Sequence, residues 1–81
     1  MQERRRDTRV PQNTVGNIRY GAAGHERPCS VIDLSPRGAG IKLASAFGVP
    51  DVFHLVINGE AHARRCRVVW REGVKLGVLF E

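Results

Sequence analysis

Val52-Phe53-His54-Leu55-Val56-Ile57-Asn58-Gly59 is the stretch that decides the fold. Successive side chains of an extended chain alternate faces, so Phe53, Leu55 and Ile57 share one side. Asn58-Gly59 follows between apolar runs, and both positions tolerate φ > 0, which predicts a two-residue hairpin turn. The returning strand then runs from Ala61 to Arg71. Its alternation puts Cys66, Val68 and Trp70 on the inner face and Arg65, Arg67 and Arg71 on the outer one. Glu72-Gly73 predicts a second two-residue turn, after which Val74, Leu76, Val78 and Phe80 face inward.

Working toward the N-terminus, Thr14 to Tyr20 reads as a first strand and Gly21-Ala22-Ala23-Gly24 as a loop. Pro28 to Leu34 is a second strand and Ala39 to Leu43 a third. Ala44 to Asp51 is a connection, in which Gly48 and Pro50 argue against a helix. The pattern predicts an all-β chain of about six short strands with no long helix. A sheet with one buried face must close or stack to protect its edges, so a small six-stranded antiparallel β-barrel is expected over residues 10–81. Residues 1–9 lack apolar periodicity and read as a flexible basic arm.

Composition narrows the function. The chain has 81 residues, enough for one small core but not for a deep cleft between lobes. No apolar run reaches the length of a membrane span, and the start of the sequence is Arg-rich rather than signal-like, so a cytoplasmic location is expected. Cys29 and Cys66 are far apart and read as small buried hydrophobes. His25, His54 and His62 share no ligand spacing, so no metal site is expected. No nucleophile, base and orienting group form a set, so catalysis is not expected. Thirteen basic against eight acidic side chains give a net charge of +5, which points to an anionic partner.

The turn Asp33-Leu34-Ser35-Pro36-Arg37-Gly38-Ala39-Gly40 carries more chemistry than a turn requires. Pro36 pre-sets φ, and Gly38 is suited to φ > 0 or to a close backbone approach. Asp33 only accepts hydrogen bonds, and the matching nucleotide edge is the N1–H and N2–H₂ pair of guanine. Ser35 is a potential donor to phosphate. Arg5 and Arg9, four apart on the arm, are suited to grip one phosphate ester and to stack on a flat ring. Arm and turn together describe the two halves of a guanine-nucleotide site. Two other readings stay open: a basic barrel binding RNA or single-stranded DNA through Arg64, Arg65, Arg67 and Arg71, and a protein-interaction module without a nucleotide.

These residues resemble a family. Arg5 to Arg9 looks like the RxxxR motif of PilZ domains, and Asp33, Ser35 and Gly38 match their [D/N]-x-S-x-x-G motif. The closing segment from Arg67 to Phe80 is similar as well. The resemblance implies a bacterial six-stranded barrel that receives the second messenger cyclic di-GMP and acts on a downstream protein partner, with nucleic acid the less favoured partner. It implies that Arg5 and Arg9 hold phosphate and stack on guanine, that Asp33 meets a guanine edge, and that Ser35 and Gly38 line the ligand, with Arg37 beside them. An Arg directly before the first motif arginine, here Arg4 (or Arg6 in the other register of the run), is associated in the family with an intercalated pair of ligand molecules. No cofactor is implied beyond that ligand.

Overall fold

The computed structural model describes residues 10–81, and the arm carrying Arg4, Arg5, Arg6 and Arg9 lies outside the described residues. Six strands form in order: β1 Val10–Tyr20, β2 His25–Leu34, β3 Gly38–Lys42, β4 Val52–Ile57, β5 Arg64–Glu72 and β6 Lys75–Phe80. All pairings are antiparallel, and the sheet closes as a barrel in the order β1-β2-β3-β6-β5-β4. The expected all-β six-stranded barrel is what forms. No helix of the described residues is long and apolar enough to cross a membrane.

The alternating positions fill the barrel. Phe53, Leu55 and Ile57 of β4 meet Ile18 of β1, Val31 of β2, Ile41 of β3, and Leu76 and Val78 of β6 in one buried cluster. Phe53 is the largest fully buried side chain. Truncating such an aromatic to Ala removes both its transfer energy and its packing, about 3–5 kcal/mol in general. Val49, from the helix-free connection between β3 and β4, is also buried with this core. Arg71 fixes that connection by donating to the Val49 carbonyl at 2.9 Å and to Asp51 Oδ1 at 2.8 Å.

Beyond strand ends, where β1 begins at Val10, β2 at His25 and β5 at Arg64, several details differ from the sequence reading. Asn58-Gly59 does not make a two-residue hairpin. Only Gly59 has positive φ (91°), and the Glu60 N–H donates to the Ile57 carbonyl at 2.9 Å, so Asn58 and Gly59 are the centre of a β-turn within a longer loop. Glu72 pairs with Lys75, so the second tight turn is Gly73-Val74, one residue later than expected, with Gly73 at φ 61°. Gly at the first of two central positions with positive φ is the type II′ pattern, whose twist suits a hairpin. The third difference concerns Trp70. An irregularity between Val68 and Trp70 leaves Val69 as an extra residue in β5. One inserted residue inverts every face beyond it. Trp70 therefore stands opposite Gly77 on the outer side and is 44% exposed, and Arg71 stands opposite the buried Leu76.

Gly38 does not use positive φ either. Its requirement is proximity: a Cβ there would run into the carbonyl oxygen of Val78 and lie 3.2 Å from the Leu79 Cα. Both obstacles are backbone of β6, which cannot swing aside.

Two measurements check this packing. Gly38→Ala is expected to lower the free energy of urea unfolding by about 2–3 kcal/mol, because an overpacked backbone contact has nowhere to relax. The second concerns the thiols, which are both free and buried. Burial pushes Cys29 from an ordinary 9.0 to about 11 and Cys66 to about 12. Between those values the unfolded chain releases thiol protons that the folded chain keeps, so stability is full below pH 9 and falls as pH rises toward 11 and 12. The slope approaches about 1.4 kcal/mol per pH unit for each thiol. Urea midpoints taken from about pH 8 to about pH 10.5 should fall in the parent and fall less in Cys66→Ala.

Candidate functional site

The turn between β2 and β3 is closed by its own polar groups. The Ser35 N–H donates to the Gly38 carbonyl at 2.9 Å, and the Gly38 N–H donates to Ser35 Oγ at 3.2 Å. The Ser35 hydroxyl donates in turn to the Gly38 carbonyl at 3.3 Å, and Ser35 is 5% exposed. Its side chain therefore builds the turn. Pro36 and Arg37 remain exposed at its tip. The Phe80 N–H donates to the Arg37 carbonyl at 2.7 Å, which ties the turn to the end of β6.

Asp33 is delivered to the outer face by a second bulge. Cys29 and Val31 are buried, so plain alternation would aim Asp33 inward as well. Instead the register slips at Ile32: Val31 pairs with Ile41, but Asp33 pairs with Gly40. Asp33 Oδ1 accepts a hydrogen bond from the Gly40 N–H at 3.0 Å, and a Cβ at position 40 would lie 2.6 Å from Oδ2. The carboxylate thus lies down on the glycine.

Trp70 does the same on the other side of the seam. Gly40 pairs with Gly77 and Gly77 pairs with Trp70. A Cβ at position 77 would collide with the pyrrole edge of the indole, so the ring rests on that glycine. The outer surface thus carries a row Asp33–Gly40–Gly77–Trp70 across four hydrogen-bonded strands. Neighbouring strands are about 4.8 Å apart, so a carboxylate and an indole flank a strip two strands wide without intervening side chains. Sequence reasoning missed Trp70, because nothing local marks Val69 as a bulge. The available signal was the pairing of a bulky aromatic with Gly77 in the neighbouring strand, which suits an aromatic laid over bare backbone.

The described arginines mostly carry acidic partners. Arg64 binds both oxygens of Glu60, at 3.1 and 3.0 Å, and lies 4.7 Å over the Phe80 ring. Arg65 and Arg67 share Glu81 at 3.1 and 2.7 Å, and these hydrogen bonds, Arg67 first, hold the Glu81 carboxyl below its ordinary range. Arg71 pairs with Asp51 and Arg19 with Glu26. Exposed pairs of this kind add little to stability. Their effect here is to engage all four arginines that a nucleic-acid groove would need, with three carboxylates offsetting most of that charge.

Of the expected site residues, Asp33, Ser35, Gly38 and Arg37 fall on one turn and its flanking strands. Arg4, Arg5, Arg6 and Arg9 lie outside the described residues. β1 begins at Val10 opposite Leu34, with Pro11 opposite Asp33, so the arm's sequence joins the barrel beside the Asp33 strand. No cluster of potential metal ligands exists among the described residues. A groove of about 440 Å³ lies further along the barrel, lined by Val15, Pro28, Ser30, Lys42 and Ala44 among others, and it does not include the motif turn.

No curated protein matches the chain. A family model does, that of the PilZ domain, over residues 3–81. That span takes in the arm, the motif turn and all six strands. With a closed six-stranded barrel and the Asp33, Ser35 and Gly38 turn in place, the chain belongs to the PilZ domain family, the receptor family for cyclic di-GMP.

Proposed function

We propose that the chain is a cyclic di-GMP-binding adaptor whose ligand contacts come from the arm, the motif turn and Trp70. The observation that carries this reading is the row Asp33–Gly40–Gly77–Trp70. A carboxylate accepts the paired N1–H and N2–H₂ donors of guanine, and an adjacent indole offers a flat face to the same heterocycle. Ser35 and Gly38 are positioning residues in this scheme: the first closes the turn and the second lets β3 lie against β6. Arg5 and Arg9 supply the phosphate grip and a guanidinium plane for stacking.

The arm is the moving part of the proposal. Each charge-assisted hydrogen bond contributes roughly 1.5–3 kcal/mol, against about 1–2 kcal/mol to fix one backbone residue. One contact does not offset the ordering of residues 5–9. Several contacts with stacking do, so the arm orders only when ligand is present. An ordered arm changes the surface offered to a downstream protein, an order–disorder switch. The ion-paired state of Arg64, Arg65, Arg67 and Arg71 weighs against a nucleic-acid groove on that side. PilZ is a binding rather than a catalytic family, in keeping with an adaptor role.

The chain has a single tryptophan, so fluorescence excited to the red of the Tyr20 absorption reports on Trp70 alone. Saturation with cyclic di-GMP is expected to change that fluorescence, and cyclic di-AMP is not. By calorimetry, Asp33→Ala and Arg9→Ala should each weaken binding by roughly 10- to 100-fold. Trp70→Ala should cost about tenfold, the usual scale of one base stacked on an aromatic. Full affinity in Asp33→Ala or Arg9→Ala would overturn the scheme.

A further inference from the structure

The chain has thirteen basic side chains, and only two of them are lysines, Lys42 and Lys75. Their placement is not neutral. Lys42 in β3 and Lys75 in β6 are direct cross-strand partners, and both are exposed. Like charges directly opposite one another in a sheet are destabilising. Arg19, Arg27, Arg64, Arg65, Arg67 and Arg71 are engaged by carboxylates, by a backbone carbonyl or by an aromatic ring. Neither lysine has an ion pair or hydrogen bond among the described residues, although Glu72 is the cross-strand neighbour of Lys75. The free barrel therefore keeps two adjacent ammonium groups on one patch, with Glu72 the cross-strand carboxylate beside Lys75.

That patch adjoins the row described above. Lys42 is two residues from Gly40 along β3, and Lys75 is two residues from Gly77 along β6, so both project from the same outer face. Two residues of strand span about 7 Å, within reach of a flexible four-carbon side chain leaning along the sheet. The arm joins the barrel on the other side, at Val10 opposite Leu34. A cyclic dinucleotide carries two phosphodiesters on opposite sides of its ring. In the cyclic di-GMP reading proposed above, a phosphodiester held at the Leu34 end leaves the other one toward Lys42 and Lys75. Ser30, the β2 partner of Lys42, adds a hydroxyl donor at the border of the patch.

We infer that Lys42 and Lys75 form a second phosphodiester subsite, which takes the phosphate of the bound cyclic dinucleotide that the arm does not hold. This rests on the cyclic di-GMP reading above. It accounts for a like-charged pair that the fold itself does not need: binding supplies the missing counter-charge and relieves the repulsion. It also makes the lysines affinity residues rather than selectivity residues, because a phosphodiester is the same whatever the base.

The test is calorimetric titration of the full chain with cyclic di-GMP at low and high salt, for the parent, Lys42→Gln, Lys75→Gln, the double variant, a Lys42→Arg/Lys75→Arg variant and Asp33→Ala. Each Gln variant should bind roughly tenfold more weakly at low salt and with a shallower salt dependence, since one charge-assisted contact is lost. The Arg variant should retain affinity, and the preference for guanine over adenine should be unchanged throughout. The melting temperature of the Gln variants should equal or exceed that of the parent, which separates a ligand role from a structural one. A double Gln variant that binds like the parent, in an experiment where Asp33→Ala loses binding, overturns the lysine subsite and leaves the cyclic di-GMP reading standing. A parent that does not bind cyclic di-GMP overturns both.

Discussion

Two inserted residues set the outer surface of this barrel. Ile32 in β2 and Val69 in β5 each stand without a partner in the neighbouring strand, and each turns the following residue from the inner parity to the outer one. Without the first, Asp33 would point into an apolar interior, where a carboxylate costs several kcal/mol unless paired. Without the second, Trp70 would compete with Val68 and Val78 for core volume, and Arg71 would leave the end of the barrel where it holds Val49 and Asp51. The row Asp33–Gly40–Gly77–Trp70 therefore depends on two local irregularities in an otherwise regular sheet. Bulges of this kind re-aim side chains beside functional sites.

Glycine makes that row usable. Gly40 and Gly77 are cross-strand partners, so the seam between β3 and β6 is bare backbone at this level. The carboxylate and the indole lie on it instead of standing above neighbouring side chains. Gly38 serves the same seam differently, by letting β3 approach the β6 backbone closely enough for Phe80 to bond the motif turn. The motif residues Ser35 and Gly38 are thus explained by the architecture of the turn.

Charge is divided between arginines that serve the barrel and lysines that do not. Glu60, Glu81 and Asp51 pair with the four arginines of β5. Arg27 is also occupied, donating to the Ser45 carbonyl at 3.1 Å and lying over Tyr20. Net charge alone pointed to an anionic partner. The pairing pattern adds a direction, because Lys42 and Lys75 place two adjacent ammonium groups beside the glycine seam.

The barrel itself was legible in the sequence. Alternating Phe53, Leu55 and Ile57, the inward set Leu76 and Val78, and Gly-marked turns at intervals determined six strands and a buried apolar interior, because period-two burial and turn chemistry are local properties. The Asp33, Ser35 and Gly38 motif was legible for the same reason. The face of Trp70, the role of Arg71 and the true cause of Gly38 were not. A bulge is a mismatch between two strands, and a Cβ clash depends on a backbone some 40 residues away in sequence. Neither quantity exists until β3, β5 and β6 are brought together, so only the tertiary structure decided which groups stand beside Asp33.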